Sequence, residues 1–236
     1  RFRPQLLRDI CELDLETGTN RVFAGGLRNA VGLAWAGQTD VLWTVVNERD
    51  GLGDETPPDY LTSVCDGAFY GWPYCYWDRV VDDRVPQDPA MVARALTPDY
   101  ALGGHTASLG LCWVPAGTLP GFPEGMAIGQ HGSWNRSKLS GYKLAFVPFE
   151  NGRPSGPARE VRLVEIAGAA QRRILDDLLA VVPEGVERRD RAAVRAVADG
   201  AVGDAALEER RELVRGTRRS RTGVLLASRW GRMARC

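Results

Sequence analysis

The sequence predicts an all-β fold assembled from repeated short strands, and three observations over residues 1–159 carry that reading. The apolar runs are short and rich in β-branched and aromatic residues, as in VLWTVV at 41–46 and SLGLCWV at 108–114, a composition that suits strands with a buried face. Turns rich in Gly and Pro, such as 115–125, separate those runs. No apolar period of 3.6 residues is sustained between the turns. Together these features mark a repeat architecture of sheets.

Taken in order, residues 8–24 read as a hairpin: Ile10, Glu12, Leu13 and Leu15 lead to the polar turn Thr17-Gly18-Thr19-Asn20, and Val22 and Phe23 return. Gly25-Gly26 then turns the chain toward Arg28-Asn29, which stand at the foot of an apolar strand. A turn at 36–40 sends it back through 41–46. That strand empties into the acidic, glycine-rich loop Asn47-Glu48-Arg49-Asp50-Gly51-Leu52-Gly53-Asp54-Glu55. Two strands therefore aim an Arg-Asn pair and an acidic loop at one rim.

A Pro-Pro-Asp turn and a strand at 60–64 follow. The aromatic cluster Phe69, Tyr70, Trp72, Tyr74, Tyr76 and Trp77 is interrupted by Gly71 and Pro73. It reads as a packed loop that plugs the space between sheets, with a sugar-stacking platform as the sharper alternative. Residues 78–98, acidic and Pro-rich, read as a surface connection. Strands return at 108–114, 126–129 and 142–147, with the loop His131-Gly132-Ser133-Trp134-Asn135-Arg136-Ser137 before the last of them and a closing turn at 150–154.

Beyond residue 159 the character changes. Aromatic residues vanish between Phe149 and Trp230, and net charge moves from −4 over 1–159 to +4 over 160–236. Segments at 169–182 and 205–215 have helix-permissive composition. Residues 160–236 are expected to form an atypical Arg/Ala-rich tail, helical or disordered, of the kind a GC-rich gene yields in a shifted reading frame. The 236 residues together carry zero net charge, which argues against a nucleic-acid partner. No apolar run approaches the ~18–20 residues of a membrane span. Cys11, Cys65, Cys75, Cys112 and Cys236 show neither a CxxC pair nor metal-ligand spacing, so each is expected to be a buried thiol.

Several motifs then stand in one order: GLRN…GLAW at 26–35, LW…NERD…GDE at 42–55, FYGWP at 69–73, DYALGGHTASLGL at 99–111 and GQHGSWNRS…GYK at 129–143. In that combination the chain resembles the soluble quinoprotein sugar dehydrogenases, the glucose/sorbosone dehydrogenase family, and most of all its sorbosone and pyranose dehydrogenase branch. The resemblance covers about residues 20–157. It implies a six-bladed β-propeller carrying pyrroloquinoline quinone (PQQ) and calcium (Ca2+). Blades of ~40–50 residues make such a propeller longer than this chain. The expectation is thus a partial propeller over residues 1–159, incomplete at both ends.

The resemblance implies that Arg28 and Asn29 contact the PQQ, whose three carboxylates suit planar, bidentate guanidinium donors. Arg49, His105 and Arg136 are further cofactor-binding candidates. Calcium prefers oxygen ligands, and main-chain carbonyls at Asp50-Gly51 would hold it, where this chain departs from the family's usual Gly-Pro. Asp54 and Glu55 serve either a second, structural ion or a solvated acidic turn. The base that takes the substrate's hydroxyl proton is expected upstream of the matched stretch. His105 is a lesser candidate for it, and a hydrogen-bonded structural residue is the other reading of both His105 and His131.

The implied activity is oxidation of a sugar, aldose or sorbosone-like aldehyde by hydride transfer to the quinone, with electrons leaving to a downstream acceptor, in the periplasm or outside the cell. With blades missing, the chain alone is expected to be inactive. Two rivals remain. One is a calcium-dependent lactonase or hydrolase propeller, which has no need of Arg28-Asn29; the other is a non-catalytic sugar-binding propeller.

Overall fold

The computed structural model describes residues 8–37 and 39–161 in full and 224–228 as backbone. Strands β1 (Ile10–Asp14) and β2 (Asn20–Ala24) form the expected hairpin. β3 (Ala30–Trp35), β4 (Leu42–Val46) and β5 (Pro58–Val64) form an antiparallel meander. A small ladder of β6 (Cys75–Tyr76) with β7 (Val80–Val81) and a helix, α1 (Pro89–Arg94), follow. β8 (Tyr100–Gly104) then returns to pair with β5, completing a four-stranded sheet. A second sheet runs β9 (Ser108–Val114), β10 (Gly125–Gln130) and β11 (Lys143–Glu150), with β12 (Arg153–Pro154) and β13 (Arg159–Val161) both paired to β11.

The residues of β4 explain how the sheets stack. All five are buried, because successive side chains point to opposite faces and both faces are covered. Trp43 and Val45 join Leu61, Leu111, Met126, Ile128, Val147 and Phe149 in the core between the two larger sheets. Leu42 and Val46 join Ile10, Phe23, Tyr60 and Tyr70 in the core toward the β1–β2 hairpin. The ring of Phe149 meets Trp43 edge-on at 4.9 Å and Trp113 at 5.6 Å. The first four-stranded sheet is thus a slab between two others, the relation of one blade to its neighbours.

Two blades come close together at Gly32. A Cβ there would lie 2.6 Å from the Leu111 N and 2.8 Å from the Leu109 O, so β3 approaches the backbone of β9 with no room for a side chain. Gly32→Ala is expected to cost about 1–3 kcal/mol as overpacking that backbone cannot relieve. Urea denaturation checks it; an unchanged midpoint would show that the blades can part at no cost.

Four features differ from the sequence reading. The connection at 78–98 contains α1, whose start is fixed by Pro89 and by the Asp88 cap, its carboxylate accepting from the N–H groups of Ala90 and Met91. The boundary expected at 159/160 falls within β13, whose Val161 pairs with Leu144 and is buried. Within the expected tail, β14 (Val224–Ser228) is a strand parallel to β1; the other features expected of 162–236 lie outside the described residues. Cys11 and Cys75 are buried thiols as expected, whereas Cys65 is disulfide-bonded. It stands partly exposed just past the end of β5, where a partner can reach it. No helix among the described residues is long and apolar enough to cross a membrane.

Candidate functional site

In an antiparallel meander every second turn lies on the same rim. Arg28 and Asn29 precede β3, the 47–55 loop follows β4, His105 follows β8, and the 131–137 loop follows β10. These four connections therefore share one rim. Loops held on such a scaffold can place side chains far apart in sequence around one another.

The 47–55 loop is the hub. Arg28 donates through Nη1 to the carbonyls of Asn47 at 3.2 Å and Glu48 at 2.6 Å, and its other amino group reaches Asp50 Oδ2 at 3.9 Å. The Asn29 carbonyl accepts from the Asn47 N–H at 3.0 Å. His105 Nε2 meets the Gly53 carbonyl at 2.8 Å and Nδ1 meets Asp50 Oδ1 at 3.2 Å. Its φ of 53° lies in the left-handed region, which turns the ring in toward the loop. Arg136 donates to the carbonyls of Asp54 at 3.2 Å and Gly104 at 3.0 Å and pairs with Glu55. A Cβ on Gly104 would be 2.5 Å from the Asp54 O, so only glycine admits this approach.

The loop is also pinned from below by buried charge. Asp59, 1% exposed, accepts from the Glu48 N–H at 2.9 Å through one oxygen and from Thr106 and the Ser108 N–H, both at 2.9 Å, through the other. Burial raises the Asp59 carboxyl above the usual carboxylate range, against those hydrogen bonds. Burial likewise raises Glu48, with the charge of Arg49 pulling the other way. Arg28 is shifted down, by burial first, with Asp50 and Glu48 opposing.

The structure brings Arg28, Asn29, Asp50, Gly51, His105 and Arg136 to the rim and sets Arg49 apart. The Arg49 guanidinium is 3% exposed, pairs with Asp82, lies 3.5 Å from Glu48 and stacks 4.0 Å from the Trp72 ring centroid. It is turned into the protein. Trp72 has Arg8 on it at 4.9 Å as well, and Phe69 and Tyr70 are buried, so the aromatic segment is packing between blades. Both ring nitrogens of His105 are engaged by loop oxygens, which leaves neither directed at a substrate hydroxyl. Asp54 and Glu55 stand at the outer edge of the loop, Glu55 largely exposed. Asp54 accepts from Ser137, Glu55 from Arg136, and both tie the 131–137 loop down.

The donor set fits an anion. Besides the spare donors of Arg28, Arg136 keeps a buried Nε–H with no partner. That is what a multiply charged carboxylate ligand such as PQQ requires. The carbonyls proposed for calcium fit less well. The Asp50 carbonyl accepts from Arg84 Nη1 at 2.9 Å. Among the described residues, no group of three or more His, Cys, Asp or Glu side chains is placed to hold a metal.

Sequence reading missed Asp82 and Arg84. Asp82 is 2% exposed and takes two hydrogen bonds from the Arg84 guanidinium, at 2.8 and 2.9 Å, besides that of Arg49. The Arg84 bonds, then those of Arg49, hold its carboxyl well below the usual carboxylate range. The only trace in the sequence was Asp-Asp-Arg inside a stretch that looked like solvated surface.

Comparison with solved structures gives the calcium and iodide structures of a Trichoderma reesei carbohydrate-active enzyme of family AA12. Each is 22% identical with a TM-score of 0.51, over 70% and 69% of this chain respectively and 48% of theirs. The described blades have the AA12 fold. This agrees with the sequence resemblance and with the expected all-β, propeller-type architecture. The holo PQQ domain of a Coprinopsis cinerea pyranose dehydrogenase is also similar, at 22% identity and TM-score 0.45 over 60% of this chain and 44% of that one. An uncharacterised protein of Borreliella burgdorferi is 27% identical over 144 residues, 60% of this chain and 38% of its own. No family model matches. The chain spans about half the length of the AA12 structures.

Proposed function

We propose that the chain belongs to a PQQ-dependent dehydrogenase that oxidises a sugar or sugar aldehyde of the aldose, pyranose or sorbosone type, within a six-bladed propeller in the periplasm or outside the cell. The observation that carries this reading is the convergence of Arg28, His105 and Arg136 on one acidic loop, at one rim of an AA12-type fold, with guanidinium donors to spare. Arg28 and Arg136 would hold cofactor carboxylates, with Asn29 beside Arg28 and His105 fixing the loop between them. Arg49 would act from beneath, as the buried brace of Glu48. When bound, PQQ supplies the acceptor for the substrate's hydride. The chain's own residues bind and orient it. Asp59, Thr106 and Ser108 keep the loop in register, and Trp72 stacks on the Arg49 guanidinium beneath it.

Calcium at Asp50-Gly51 is not part of this reading, because Arg84 holds the Asp50 carbonyl. Neither histidine is assigned the general base, and the electron acceptor is left unassigned. A lactonase or a sugar-binding propeller would not need an anionic quinone. Adding PQQ to the protein that carries this chain should quench its tryptophan fluorescence saturably and support dye-linked oxidation of an aldose. Lactone hydrolysis without quenching would overturn the proposal in favour of the hydrolase.

A further inference from the structure

Every oxygen of Asp50 already lies near a side-chain nitrogen. Oδ1 lies 3.2 Å from His105 Nδ1, Oδ2 lies 3.9 Å from an Arg28 amino group, and the carbonyl accepts from Arg84 Nη1 at 2.9 Å. Arg84 is not a passing surface side chain. Its Nε and Nη2 are fixed on the buried Asp82 carboxylate at 2.8 and 2.9 Å, and Asp82 is itself bound by the buried Arg49. The fork thus has one end anchored and the other aimed at the loop, the planar geometry in which a guanidinium serves two acceptors at once. Gly51 is built for it: a Cβ there would lie 3.3 Å from Arg84 Nη1, and its φ of 83° suits glycine.

We propose that Arg84 is a built-in cation of this loop. It binds the Asp50 carbonyl where the sequence resemblance puts a metal ion, and a divalent cation reaches that oxygen only after Arg84 has left it. A guanidinium and a calcium ion cannot share one carbonyl without strong repulsion at that separation. The Arg49–Asp82–Arg84 chain of charges thus adds a hold on the loop that needs no metal, beside those of Arg28, His105 and Asp59. The proposal does not rest on the dehydrogenase reading, since it needs neither quinone nor sugar.

The test uses the imidazole signals of His105, which touches Asp50 and Gly53. The chain has two histidines, so the spectrum of His131→Gln assigns them. At fixed pH, calcium chloride is titrated into the full chain and into Arg84→Met. In the wild type the His105 signals should stay in place up to about 1 mM calcium, the weak end of natural calcium modules. In Arg84→Met they should shift saturably within that range, a gain of at least about tenfold in affinity. Should Arg84→Met lose the dispersed spectrum of a folded chain, Arg84→Gln replaces it. Its neutral amide leaves no cation at the Asp50 carbonyl to repel calcium, and the same gain is expected. A saturable shift in the wild type, or none in a folded variant, overturns the proposal.

Discussion

Asp82→Ala is expected to cost about 3–5 kcal/mol of unfolding free energy, because removing one partner strands a buried charge. The stranded group is Arg49, 3% exposed, whose remaining counter-ion Glu48 lies at 3.5 Å. Arg84 loses its anchor as well, and with it the aim of Nη1 at the Asp50 carbonyl. The loss appears as a lower urea midpoint, and Asp83→Ala, at the exposed neighbour, should stay within about 0.5 kcal/mol. The sign with pH is fixed by the depressed Asp82 carboxyl. Stability from a lowered carboxyl is fully present above its ordinary value and is lost as the pH falls through the depressed one. The gap between wild type and Asp82→Ala should therefore hold at neutral pH and narrow only in strong acid. A gap that closes near pH 6 would assign the effect to some other group.

What was legible in the sequence follows from how locally it was encoded. β4 and β9 could be read because a strand covered on both faces must be apolar along its length, whereas their packing partners could not. The convergence of Arg28 with the 47–55 loop was also local: two antiparallel strands joined by one turn return to the same rim. β8 is not legible as a strand, since its Tyr-Ala-Leu-Gly-Gly run gains its identity from pairing with β5, across a long connection. Nor could composition show that Asp82 is buried. An acidic residue in a polar, Pro-rich stretch looks solvated until two arginines, one from a loop far upstream, close over it. Arg49 misled for the complementary reason. A cation beside Asp50 resembled a ligand-binding group, yet its length lets it reach back beneath the aromatic loop instead.

Arg28→Ala should weaken PQQ binding by about 2–5 kcal/mol, or roughly 30-fold and upward in dissociation constant, the cost of leaving a buried carboxylate without its cation. Arg28 is the residue to remove because its side chain is still 27% exposed at the rim while its Nη1 is fixed to the carbonyls of Asn47 and Glu48. The guanidinium is thus held in place without being consumed. Arg28→Lys should fall between, retaining the charge but not the fork. Arg153→Ala is the matched control. Arg153 is 64% exposed, pairs with Asp99, and follows β11 on the opposite rim, so its loss should leave PQQ binding within error. Tryptophan quenching in the protein carrying this chain measures all three, with thermal melting run beside it, because Arg28 also supports the loop. Equal weakening by Arg28→Ala and Arg153→Ala would remove Arg28 from the site. Weakening that tracks the melting temperature across the three variants would assign Arg28 to the loop alone.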